Sequence, residues 1–108
     1  MRVRRGGVHY ALLPGLGRRP AVVVSSRPVN DALRRPVLAR ITARQRERSL
    51  PTHVVLAESE AGLPLPSTVL CHELWTVPAE DLDPELGLLE PDRMGEVDAA
   101  LLRALDLV

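Results

Sequence analysis

At 108 residues, 45% of them hydrophobic, the chain can build one domain around one modest core, and a partner copy would help to stabilise it. It has no Phe, one Trp and one Tyr, so the core is aliphatic; it has no apolar run of about 18 residues, which excludes a helical membrane span; and its one cysteine, Cys71, excludes an internal disulfide framework and fits a reducing cytoplasm. The net charge of zero hides a split: residues 1–52 hold twelve Arg against Asp31 and Glu47, and residues 53–108 hold Arg93 and Arg103 against twelve acids.

Lysine is absent, which either a GC-rich genome or a need for guanidinium groups would produce. A basic half of a folded domain offers an electropositive surface to phosphates, unless the acidic half neutralises it across the fold. No apolar segment follows the N-terminal arginines, so no secretory leader is expected.

Val8–Leu13 reads as a first strand and Pro14-Gly15-Leu16-Gly17 as a turn, with two glycines able to take positive φ. Residues 20–26 read as a second strand and 27–35 as a loop or short helical turn. Val37–Ala43 reads as a third strand, 44–51 as an exposed basic loop and His53–Ala57 as a fourth strand. After a turn at Gly62–Pro66 come two short strands, Ser67–Leu70 and Leu74–Val77, and a possible last one at Leu86–Leu89. Strands this short, broken by Gly/Pro turns, predict a mainly β fold, a small curled antiparallel barrel.

The last segment changes period. Pro91 suits a first helical position and Asp92 a first turn, where a carboxylate meets the positive end of the helix dipole. Met94, Val97, Leu101, Leu105 and Val108 recur near helical spacing, so a C-terminal helix over about 91–106 packs on the sheet.

Arg18-Arg19-Pro20-Ala21-Val22-Val23-Val24 is the segment richest in chemistry. Proline fixes its own φ and holds Arg19 extended. The valines form an apolar run suited to a strand buried on both faces. An arginine held rigidly at the mouth of a core strand is placed to grip an anion, because its planar fork binds phosphate oxygens in bidentate fashion. Cys71 follows an apolar strand and lacks the spaced partners of a zinc site, so neither a nucleophile nor a metal ligand is expected there. Gly15-x-Gly17 leads into a strand, not a helix, and does not form a nucleotide loop.

In this order the residues resemble the MazF/PemK family of toxin ribonucleases. Arg5-Gly6 followed by Tyr10 is similar to the family's opening strand. Arg19-Pro20-Ala21-Val22-Val23-Val24-Ser25 is similar to its most recognisable motif, and Ile41-Thr42-Ala43 to the strand carrying its catalytic threonine. Leu50-Pro51-Thr52-His53-Val54, Gly62-Leu63-Pro64, Ser67, Val69-Leu70 and the helix with Met94, Val97 and Leu101-Leu102 continue the match over nearly the whole chain as one domain, 1–108.

The resemblance implies an SH3-like barrel with a C-terminal helix. It implies a cytoplasmic homodimer that cuts single-stranded RNA without a metal or other cofactor. It also implies a cognate antitoxin that lays an extended C-terminal tail over the active surface. Carried over by position, Arg19 and Thr42 are the catalytic pair.

The chain departs from the pattern in three places. Gly7 stands where many members have an acid. The loop after the first strand is short. His72-Glu73-Leu74-Trp75 replaces a segment of the type Asp-Gln-x-Arg, with His72 for the acid and Trp75 for the arginine.

Cleavage of this kind uses the substrate's 2′-OH as nucleophile. It needs charge stabilisation at phosphorus, a base for the 2′-OH and an acid for the leaving 5′-oxygen. Arg19 and the Thr42 hydroxyl suit the first task. Arginine, with a pKa above about 12, is a poor proton carrier. His72 titrates near neutral pH and is assigned to the catalytic set; His53 and His9 are further candidates. Arg18, Arg40, Arg44, Arg46 and Glu73 are assigned to RNA contacts. Trp75 is assigned to base stacking, with core packing as its other reading. The alternative function is a non-catalytic toxin of the same fold that binds a protein target such as DNA gyrase, or an inactive antitoxin-binding module.

Overall fold

Odd and even positions of Gly7–Leu13 serve two different cores, and this alternation makes the segment strand β1: Val8 packs into one, Ala11 and Leu13 into the other. The computed structural model describes residues 1–43 and 50–108. A three-residue turn, with Leu16 N–H donating to the Leu13 carbonyl at 3.0 Å, reverses the chain into β2, Gly17–Val23. Gly17 has φ +83°, a conformation that favours glycine, so pairing begins three residues earlier than the valine run predicts.

A short π-helical turn, Val29–Leu33, fills the predicted loop. β3, Val37–Thr42, and β4, His53–Leu56, match their predicted strands closely. β5 runs from Ser67 to Thr76, β6 is the pair Gly87–Leu88, and helix α1 spans Pro91–Ala104. The strands form one antiparallel sheet in the order β4-β5-β3-β2-β1-β6, curled into a half-barrel.

One core lies between the sheet and α1. Val8, Val22, Ile41 and Val69 meet Met94, Val97 and Ala100 there. Full burial of a side chain such as Val97 contributes roughly 1.5–3 kcal/mol. The second core, on the other face, gathers Ala11, Leu13, Ala21, Val23 and Leu38 under Val3, Val77 and Leu82.

The predicted strands Ser67–Leu70 and Leu74–Val77 are one continuous strand with a break in its ladder. Partners run Ala39↔Leu74 and then Arg40↔Leu70, so β3 skips Cys71, His72 and Glu73. This bulge bends β5 and re-aims the skipped residues. The helix is also shorter than its apolar spacing suggests. Leu105 is its C-cap and Asp106 takes φ +57°, so Leu105 and Val108 turn out to solvent instead of joining the core. No helix among the described residues is long and apolar enough to cross a membrane.

Candidate active site

The β2–β3 ladder pairs Val23↔Leu38, Val22↔Ala39 and Ala21↔Arg40. It ends where Pro20 has no N–H to offer. Both strands continue: Arg19 pairs with Ala11 of β1, and Thr42 with Thr68 of β5. Carrying the register on by two residues sets Arg19 opposite Thr42. Side chains alternate along a strand, so Arg19, Ala21, Arg40 and Thr42 project from one face. That is the face of the second core, opposite α1.

Arg19 is exposed, and its Nη1 donates to the Arg18 carbonyl at 3.2 Å. It has no acidic partner among the described residues. Arg4, Arg5, Arg18, Arg27, Arg40 and Arg93, by contrast, are ion-paired.

Arg40 also lines an open cleft of about 260 Å³, together with Leu50, His53, Leu70, His72 and Glu73. The bulge delivers His72 and Glu73 to it, and the start of β4 delivers His53, whose register partner is Leu70. Arg40 Nη1 donates to Glu73 Oε2 at 3.0 Å, while its buried Nε makes no hydrogen bond among the described residues. Thr52 Oγ1 sits 3.2 Å from His72 Nδ1. The His53 and His72 rings lie 5.5 Å apart between centroids, tilted by 31°. The cleft therefore brings a guanidinium and its carboxylate partner together with two imidazole rings.

Among the residues assigned from sequence, Arg40, His72 and Glu73 line this cleft, and Arg19 and Thr42 are not among its lining residues. Nor is Arg18: its position in the alternation puts it on the opposite face, where it pairs with Asp83 at 2.6 Å. Trp75 faces Leu38 and packs, half-buried, against the second core. Arg44 and Arg46 lie outside the described residues. His9 is fully buried, with Nδ1 2.7 Å from the Asp83 carbonyl oxygen, and lines no part of the cleft.

Cys71 is buried, and burial, helped by Asp98, pushes its thiol up to about 11, so it is held as an inert thiol. Among the described residues no group of three or more His, Cys, Asp and Glu side chains is arranged to hold a metal ion. Leu50 and Thr52 were not singled out as site residues from the sequence. Thr52 lies twenty positions from the ring it touches, and only the β4–β5 pairing joins them.

Residues 4–105 match the family described as PemK-like, MazF-like toxin of type II toxin-antitoxin system. The chain is 31% identical to Endoribonuclease EndoA of Bacillus subtilis (strain 168), over 100% of this chain and 98% of that protein. Among solved structures it is similar to an endoribonuclease in complex with its cognate antitoxin from Mycobacterial species. That match has 30% identity and a TM-score of 0.82, covering 97% of this chain and 96% of that one. It is also similar to Mycobacterium tuberculosis toxin MazF-mt6, at 29% identity and a TM-score of 0.80, covering 93% and 96%.

Proposed function

Because the chain belongs to the PemK-like, MazF-like toxins of type II toxin-antitoxin systems, we propose that it is a cytoplasmic, homodimeric endoribonuclease. It cuts single-stranded RNA at a short sequence motif without a metal, and a cognate antitoxin restrains it by laying an extended tail over the cutting face. The 2′-oxygen attacks the adjacent phosphorus and the bond to the 5′-oxygen breaks, leaving a 2′,3′-cyclic phosphate and a 5′-OH.

What supports this reading is the β2–β3 register, which pairs Ala21 with Arg40 and, carried on by two residues, would bring Arg19 to Thr42, with Arg19 exposed and free of any acidic partner among the described residues. The Arg19 fork takes two non-bridging phosphate oxygens, and the Thr42 hydroxyl donates to the same group. Such donors, fixed before the reaction, each lower the barrier by about 3–4 kcal/mol. Arg40, steadied by Glu73, lies on the same face two residues before Thr42 and supports the neighbouring phosphate. His72 carries a proton at the cleft.

The test is cleavage of mixed single-stranded transcripts in excess EDTA, followed by mapping of the ends. The expected result is cutting at a recurrent motif with 5′-OH and cyclic phosphate ends, abolished by a single 2′-deoxyribose at the cut. Cutting that EDTA abolishes, or that survives the 2′-deoxy substitution, would refute the mechanism. Toxicity with no RNA cleavage would favour a protein target instead.

A further inference from the structure

We propose that His53 and His72 work as a two-histidine acid–base pair, with His53 taking the proton from the 2′-OH and His72 protonating the leaving 5′-oxygen. This rests on the endoribonuclease reading above and assigns the proton transfers that neither Arg19 nor Thr42 performs. The two rings come from strands neighbouring in the sheet, lie 5.5 Å apart and line the same cleft as Arg40. At that separation two imidazolium charges repel, so the pair works with one proton between the rings.

The two rings differ in exposure: His53 is half-buried, with its Nδ1 turned away from solvent, and His72 is exposed. In this pair the sheltered ring takes the base role and the exposed ring the acid role. The Thr52 hydroxyl at His72 Nδ1 can accept from N–H or donate to a lone pair. His72 therefore keeps this contact in both protonation states, with Nε2 left for the substrate.

The step balances. The O2′–P bond forms as the P–O5′ bond breaks, His53 gains the 2′ proton, and His72 gives its proton to O5′. Exchange with water then restores both rings. Among the described residues, the charged groups that line the cleft with the pair are Arg40 and Glu73, bound to each other; Arg103 and Asp106, at the far end of α1, line a neighbouring hollow with Leu50 and Thr52.

The experiment first maps a cut in mixed transcripts. It then follows single-turnover cleavage of an oligonucleotide spanning that cut, with either an ordinary 5′-oxygen or a 5′-bridging sulfur, which leaves without an acid. The unaltered protein should give a bell-shaped pH–rate profile. His53→Gln should lose the limb that rises from acid pH, and His72→Gln the limb that falls at alkaline pH. Each should be at least about 100-fold slower at the optimum. The sulfur substrate should restore His72→Gln to within about tenfold of the unaltered protein and leave His53→Gln slow.

Rescue of His53→Gln instead, or both limbs retained in both variants while Arg19→Ala is inactive, would overturn the pair but leave the ribonuclease reading intact. Absence of cutting by the unaltered protein would overturn both. Should His53→Gln fail to fold, NMR titration of the intact protein decides: the two ring signals should follow mutually dependent curves, and two independent single-step curves would refute the pairing.

Discussion

Arg19 stands out as a single side chain by what is missing around it. Arg4, Arg18 and Arg40 are held by carboxylates, whereas Arg19 stands at the strand mouth with no carboxylate partner among the described residues. Arg19→Lys keeps the charge but loses the fork, so cleavage should fall by about 100-fold under single-turnover conditions with the melting curve unchanged. Gly7 also has a physical reason at this scale. A Cβ there would lie 2.6 Å from Glu85 Oε1 and 3.2 Å from His9 Nε2, so the glycine leaves room for a carboxylate arriving from a distant segment. The Arg4 guanidinium, hydrogen-bonded to that carboxylate, holds Glu85 below the usual range against the opposing effect of burial; the charges of Arg4 and His9 act the same way. A lowered carboxyl stabilises the fold above its unfolded-state value and loses that contribution as pH falls through the folded value. Stability should therefore decline below the ordinary carboxylate range. In Glu85→Gln the decline should be shallower, measured as denaturant midpoints between neutral and acid pH.

Most strands were legible in the sequence because short apolar runs stand between turn signals: Val8–Leu13 before the Pro14–Gly17 turn, and the valine run of β2 after it. The Pro91 start of α1 was legible for the same reason, since proline and an acid mark a helix N-terminus locally. The bulge at Cys71–Glu73 was not, because it depends on how β5 pairs with β3, and its sequence shadow was a false gap between two strands. The cleft inherits that limit. Arg19 and Thr42 were visible through motif resemblance, but the meeting of His53 with His72 depends on a ladder between β4 and the bulged strand. Arg18 was misplaced with Arg19 because adjacency in sequence means opposite faces in a strand.

Close packing between elements is equally invisible beforehand. Gly87 of β6 approaches the backbone at Ala61, where an added Cβ would lie 2.6 Å from the Ala61 carbonyl carbon and oxygen. Gly87→Ala should thus destabilise the protein by about 1–3 kcal/mol in a denaturant titration. At Gly15, where a Cβ would meet nothing within 4 Å, φ is +80° and strain alone opposes alanine.

Over the whole molecule, folding turns a sequence split by charge into one that largely neutralises itself. Arg4–Glu85, Arg5–Asp98, Arg18–Asp83 and Arg40–Glu73 each join the basic half to the acidic half. Arg2, Arg19, Arg34, Arg35 and Arg103 have no carboxylate partner among the described residues, so the surplus is local and not a uniformly basic surface. RNA binding should then weaken with salt, with a logarithmic slope of roughly −0.7 for each phosphate contacted. Arg19→Ala should make that slope shallower by about 0.7, as read by fluorescence anisotropy on single-stranded RNA. The proposed mechanism has Arg19 and Thr42 acting together on one phosphodiester, and a double-mutant cycle measures this directly. Single-turnover cleavage rates are compared for the unaltered protein, Arg19→Ala, Thr42→Val and the double variant. The expected result is a loss of at least about 100-fold in each single variant, with the double variant far less impaired than the product of the two losses. Cleavage by Arg19→Ala at the unaltered rate, or losses that simply multiply, would contradict a shared site.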